Sequence, residues 1–125
     1  MIIHIETIPH KDQAYETCGN FWVGMDGAWQ IRVSDMGNAD FEWLVAIHEF
    51  IEMKLCDKRG IKEEDITKFD IDFEAKRKEG NVDEPGDDPQ SPYKREHFCA
   101  TNIERMLSAE LGIDWAVYNG VVENL

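Results

Sequence analysis

The sequence predicts an α+β fold in which a small antiparallel sheet packs on a central helix, with two further helices. Three observations predict it. Residues 1–34 are expected to be mainly β, since residues 1–6 and 20–34 alternate as strands do. Residues 39–59 predict a long helix that is apolar almost all round, and residues 62–79 and 92–111 carry two more helical patterns. A chain of 125 residues, 42% of them hydrophobic, is long enough for one domain with a core and too short for two.

The N-terminal residues are expected to form the whole sheet. Residues 1–6, MIIHIE, alternate and are rich in isoleucine, so they predict a short strand that Pro9 ends. Residues 20–34 predict a β-hairpin, because apolar residues alternate on either side of Asp26-Gly27, a pair that favours a type I′ turn. The N-terminal strand and the hairpin together give an antiparallel sheet whose apolar face covers the helix that follows.

Clear end signals delimit the central helix, residues 39–59. Asn38 can cap the first turn, which also carries acidic residues, and cations occupy the last turn. Gly60 suits the position just after the helix end. Because apolar residues also lie off the main stripe, we expect this helix to be central and buried.

The helix predicted at residues 62–79 is expected to be peripheral, with much of its surface in solvent. Residues 62–79 open with acidic and close with basic side chains, and Asp70 beside their narrow apolar stripe is expected to be an exposed edge residue. Residues 80–91 form an acidic loop that is long for a compact domain, which indicates a mobile or functional segment. The apolar tail after Gly112 fits either a strand or a short helix.

Charge and cysteine content exclude several classes of protein. The net charge is −13 and the pI is about 4.6, which argues against direct binding to nucleic acid or to an anionic membrane. The same charge is compatible with a cation ligand, a basic protein partner or simple solubility. Three widely spaced cysteines without a C-x-x-C pair predict free thiols in a reducing compartment. Without a signal peptide or a membrane-spanning run, the sequence predicts a cytoplasmic protein.

Two predicted helices each place a histidine and a glutamate on or beside an apolar stripe. His48 and Glu52 are one helical turn apart, and His97 and Glu104 are two turns apart. If the two helices pack antiparallel, the four side chains converge and offer two imidazoles and two carboxylates to a metal ion. Zinc is the first choice for such a donor set, with iron or manganese as alternatives. The competing interpretation is a buried hydrogen-bonded network without metal.

The string HEFIE at residues 48–52, preceded by the strand IRVS, resembles the core of small zincin-type metallopeptidases. In that family an H-E-x-x-H helix binds zinc, its glutamate acts as general base, and the preceding strand lines the substrate cleft. The resemblance implies His48 as a ligand, Glu49 as the base, Glu52 in place of the second histidine, and a further ligand from His97 or Glu104. The whole chain also resembles small acidic uncharacterised proteins of phages and prophages, which implies a bacterial or phage-infected cell.

Three functions remain open from the sequence. The first is a small metal-dependent hydrolase that acts on peptide or amide bonds, with Glu49 beside an open coordination position. The second keeps the metal but makes it structural, with both His97 and Glu104 closing the coordination sphere. The third is a non-catalytic acidic protein that mimics nucleic acid and binds a basic protein, with no dependence on His48.

Overall fold

The computed structural model, which describes residues 1–125, confirms the α+β fold. Three strands, β1 (Ile3–Ile8), β2 (Gly19–Val23) and β3 (Trp29–Ser34), form one sheet in the order β1-β3-β2. β2 and β3 are antiparallel, as the hairpin predicts, whereas β1 runs parallel to β3, so the sheet is mixed rather than antiparallel. Residues 9–18 carry the chain from β1 to the far edge of the sheet. Strand direction depends on that connection, which residue alternation does not encode.

Four helices follow the sheet: α1 (Ala39–Arg59), α2 (Glu63–Ala75), α3 (Lys94–Glu110) and α4 (Trp115–Glu123). The bounds of α1 are those that the sequence predicts. The tail after Gly112 forms a helix, α4, rather than a strand. The Asp114 side chain caps this helix by accepting hydrogen bonds from the backbone N–H groups of its first turn. None of the four helices has both the length and the hydrophobicity needed to cross a membrane.

Both predicted end signals of α1 are confirmed. The side-chain oxygen of Asn38 accepts hydrogen bonds from the backbone N–H groups of Asp40 and Phe41, at 3.0 and 3.1 Å. Gly60 adopts a left-handed conformation with φ 71°, and its N–H closes the last turn. The helix that carries HEFIE is therefore fixed at both ends by local interactions.

The predicted type I′ turn at Asp26-Gly27 is not formed. A type I′ turn needs positive φ at both central residues, and only Gly27 has it, at 82°. The strands are joined instead by a longer loop, in which the N–H of Gly24 donates to the carbonyl of Ala28. The Asp26 carboxylate accepts from the N–H of Ala28 and so stabilises this loop.

Helices α2 and α3 are shorter than predicted. α2 ends at Ala75 rather than near residue 79, because the guanidinium of Arg77 bonds to Glu74 and to two backbone carbonyls further along, those of Asn81 and Asp83. These bonds hold the chain in a turn. α3 begins at Lys94, two residues after the predicted start, and Ser91 accepts from the N–H of Tyr93 just before it.

The hydrophobic core lies between the sheet and α1. Ile31 and Val33 of β3 face Leu44 and Val45 of α1, and all four side chains are buried. α1 also packs along α3, on the side of α1 that carries His48. This layered arrangement places the polar side chains of His48 and Glu52 at the interface between α1 and α3 rather than in solvent.

Candidate metal centre

Helices α1 and α3 are antiparallel, as pairs of side chains along their interface show. His48 contacts Glu104, Glu52 contacts His97, and further along Arg59 contacts Glu96 at 2.5 Å. As the residue numbers increase along α1, those of the contacting residues on α3 decrease. This geometry brings together all four of the residues for which the sequence predicts a metal site, and each of them is buried.

Three donor atoms form a small triangle at the centre of the cluster. The Nε2 atom of His48 lies 3.0 Å from Glu52 Oε2 and 3.2 Å from His97 Nδ1. His97 Nδ1 in turn lies 3.0 Å from the same oxygen of Glu52. The two imidazoles and the carboxylate can thus reach one metal ion, each with one atom.

Carboxylates occupy the outer nitrogen of each imidazole. His48 Nδ1 lies 2.8 Å from Glu104 Oε1, and the other oxygen of Glu104 accepts a hydrogen bond from the hydroxyl of Tyr118 on α4. His97 Nε2 lies 2.9 Å from Glu84 and 3.3 Å from Asp87, although neither oxygen lies in line with the N–H direction. A carboxylate behind a histidine orients the ring and fixes which nitrogen carries the proton, as in many metal sites.

Glu104 and His97, the two candidates for a further ligand, contact different nitrogens of His48. Glu104 lies at the nitrogen of His48 that points away from the triangle. It therefore faces a different side of the ring from Glu52 and His97. His97 thus contributes the third atom of the triangle, and Glu104 contacts the opposite nitrogen of His48.

The acidic loop between α2 and α3 closes over His97. Its short 3₁₀ turn, Pro85–Asp87, places Gly86 directly against the imidazole ring. A methyl group at Gly86 would lie 2.3 Å from Cγ of His97 and 2.5 Å from its Nδ1, distances that no real contact tolerates. The loop approaches the ring this closely only because residue 86 has no side chain.

The charges of the cluster are strongly coupled. Burial alone would lower the pKa of His48, but hydrogen bonds to Glu104 and Glu52 outweigh burial and raise it. Burial likewise acts to lower the pKa of His97, but the nearby carboxylates of Asp87, Glu52 and Glu84 outweigh it and raise the pKa. Burial acts to raise the pKa of Glu52, yet hydrogen bonds from the two imidazoles bring it down to about 2. Without a metal, the hydrogen bonds of both imidazoles to Glu52 therefore hold the triangle together.

A cavity of about 430 Å³ opens beside the triangle. Glu49, the predicted base, lies on its wall and is only 8% exposed. The Glu49 side chain packs against the backbone of Gly19 on β2, where a Cβ atom would come within 2.6 Å of its Oε1 atom. Burial, and then the neighbouring charge of Glu52, raise the pKa of Glu49 to about 8.

No family model, curated protein or solved structure matches the chain. The structure itself shows a strand followed by a helix, and a His/Glu/His cluster able to hold a metal ion. It differs from the arrangement that the zincin resemblance implies in one respect. β3, the strand before the HEFIE helix, is the central strand of the sheet, and the edge strand β2 borders the cavity instead.

Sequence reasoning missed several residues of the site. Asp70 is not the exposed edge residue that was expected: it is 6% exposed, because α2 turns it toward the cavity, where the hydroxyls of Tyr15 and Tyr93 donate to it. Glu84 and Asp87 were visible only as part of an acidic loop that is too long for a simple connection. Tyr118 lies in the tail, where its contact with Glu104 had no signal in the sequence.

Proposed function

We propose that this protein binds one divalent transition-metal ion through His48, Glu52 and His97, and that it hydrolyses a peptide or amide bond in the adjoining cavity. The observation that carries the proposal is the triangle of donor atoms on the cavity wall, with separations of 3.0, 3.0 and 3.2 Å. Zincin-type peptidases provide the chemical analogy, with Glu52 standing where their second histidine would be.

The donor set fits zinc. Ligand distances of about 2.0–2.1 Å in a tetrahedron require donors roughly 3.3 Å apart, so the triangle needs to widen by only a few tenths of an ångström. Two imidazoles and one carboxylate leave a fourth position for water or substrate, as in catalytic rather than structural zinc sites. Iron and manganese accept the same ligands and remain alternatives.

Two features favour catalysis over a purely structural ion. The triangle borders a cavity, and Glu49 faces that cavity without a hydrogen bond or ion pair to any other residue. A bound divalent ion would supply Lewis acidity to a water molecule and to a substrate carbonyl. In its ionised form Glu49 would take the proton from that water. Burial favours the protonated form of Glu49, but a divalent ion nearby would lower its pKa and favour the ionised form.

Elemental analysis tests metal binding first. The parent protein, prepared without a tag, is expected to contain about one zinc, iron or manganese ion per chain. His48→Ala is expected to lose the ion, whereas His4→Ala, which removes an exposed histidine from β1, is expected to keep it. Absence of metal from the parent after zinc is added would reduce the cluster to a buried hydrogen-bonded network. The search would then turn to a basic protein partner.

Glu49→Gln tests catalysis separately from binding. The variant is expected to keep its metal and to lose hydrolysis of a peptide library by at least about 100-fold, the usual contribution of a general base. Glu64→Gln, an exposed change on α2, serves as the matched control and should behave as the parent does. If Glu49→Gln hydrolyses peptides as fast as the parent, Glu49 is not the base.

A further inference from the structure

The cavity wall carries two buried carboxyl groups that no lysine or arginine of the protein pairs with. Glu49 is 8% exposed and Asp70 is 6% exposed. Glu49 has no polar partner, and Asp70 accepts hydrogen bonds only from the phenol groups of Tyr15 and Tyr93, at 3.1 and 2.5 Å. Burying a carboxylate without a positive partner is costly, so the site is electrostatically incomplete as the chain alone builds it.

The cavity wall as a whole is acidic. Ten of the cavity-lining residues, Glu49 and Asp70 included, are Asp or Glu, whereas one, Arg77, is Lys or Arg and three are histidines. The guanidinium of Arg77 is already engaged by Glu74 and by the carbonyls of Asn81 and Asp83. Over the whole chain acidic residues exceed basic ones only two to one, 26 to 13, so the cavity is more acidic than the composition requires.

We propose that the cavity recognises the basic side chain of a lysine- or arginine-containing peptide, with Asp70 as the carboxylate that receives the cationic group. This assignment of substrate class rests on the proposed function, since it places the peptide beside the metal triangle. The two tyrosines around Asp70 suit the same occupant, because a desolvated ammonium or guanidinium group is also attracted to aromatic rings.

Tyr93 contacts both Asp70 and the metal triangle. Its hydroxyl donates to Asp70, and its ring meets the imidazole of His97 edge-on, with centroids 6.1 Å apart. A side chain bound at Asp70 would therefore leave the peptide backbone within reach of the triangle. Burial, the main cause, raises the pKa of Asp70 to about 6, although the hydrogen bonds from Tyr93 and Tyr15 act to lower it.

Binding to the metal-free protein provides the test, since it needs no turnover. Three probes are compared by titration calorimetry at low salt and pH 7.5: the Nα-acetyl N-methylamides of lysine, norleucine and glutamate. The lysine probe is expected to bind at least tenfold more tightly than norleucine, its neutral analogue of similar length, and the glutamate probe is expected not to bind.

Two variants on the same helix locate the interaction. Asp70→Asn is expected to weaken lysine-probe binding at least tenfold, whereas Asp72→Asn, which removes an equal charge from the exposed face of α2, should change it less than twofold. In the unmodified protein, the carboxyl ¹³C resonance of Asp70 should shift when the lysine probe is added. This measurement does not depend on whether Asp70→Asn folds.

Equal affinity of the parent for lysine and norleucine probes would overturn the inference. Equal losses of lysine-probe affinity in Asp70→Asn and Asp72→Asn would overturn it too, because the preference for lysine would then be a general effect of net charge. An Asp70 resonance that does not move when the lysine probe is added would also overturn it. The proposed function fails by a different result, namely a parent protein that takes up no metal. The two failures are distinguishable because the binding test contains no metal.

Discussion

At the scale of single residues, Gly86 is the position where one methyl group has the largest expected effect. Gly86→Ala would place a Cβ atom 2.3 Å from Cγ of His97, so either the ring or the loop must move. We expect the free energy of unfolding to fall by about 1–3 kcal/mol, as for other overpacked sites. Metal affinity should fall at least tenfold, measured by competition with a zinc chelator, because His97 loses its position.

Gly120→Ala is the matched control for this change. Gly120 lies inside α4, and a methyl group there would meet nothing within 4 Å. Alanine is favoured over glycine inside a helix by up to about 1 kcal/mol, so this variant should be equally or more stable and should bind metal normally. Unchanged metal affinity in Gly86→Ala would show that the loop does not position His97.

The residue scale is also where the sequence was most informative about the site. The i, i+4 spacing of His48 and Glu52 on an apolar stripe was sufficient to predict that both face one point, because helical geometry fixes that relation. Glu84 and Asp87 could not be assigned in this way. Their contacts with His97 depend on the path of an irregular loop, and no periodicity describes such a path.

At the scale of elements, α2 carries the pH dependence that can be checked most directly. The pKa of Asp70 is raised to about 6 by burial, above the value near 3.8 of an unfolded chain. The stability associated with its protonated form is complete below pH 4 and is lost as the pH rises through about 6. The loss corresponds to about 3 kcal/mol, at 1.36 kcal/mol per pKa unit.

Asp70→Asn should remove this loss, because the amide does not ionise. Relative to the parent, the variant should therefore gain stability between pH 4 and pH 7, as measured by urea denaturation across that range. Asp72→Asn, on the exposed face of the same helix, should follow the parent at every pH. A stability difference between Asp70→Asn and the parent that does not change with pH would show that Asp70 titrates normally in the folded state.

Elements whose bounds depend on residues within one turn were predicted well. Elements whose direction or bounds depend on contacts with distant residues were not. α1 begins and ends where its cap residues indicate, since Asn38 and Gly60 act within one turn of the helix. The direction of β1 depends on a ten-residue connection, and the C-terminal end of α2 depends on contacts of Arg77 with the following loop. Such contacts form only in the folded chain, so the local sequence pattern does not reveal them.

At the scale of the whole molecule, a metal ion in the triangle would link helices α1 and α3 and should stabilise the fold. An ion that binds only the folded protein adds about 2.7 kcal/mol to the free energy of unfolding at 100 times its dissociation constant. For a chain of this size the midpoint of thermal unfolding should rise by roughly 10 °C. Differential scanning calorimetry with added zinc measures the shift, and a chelator should reverse it.

Nonspecific effects of cations must be separated from this linkage, because a chain with net charge −13 is stabilised by any ion that screens its self-repulsion. Calcium at the same concentration reports that general effect and should raise the midpoint by far less than zinc. His48→Ala retains almost all of the acidic surface but loses a donor of the triangle, so its response to zinc should fall to the level of its response to calcium. Equal responses of His48→Ala and the parent to zinc would place the stabilising ions on the acidic surface rather than between α1 and α3.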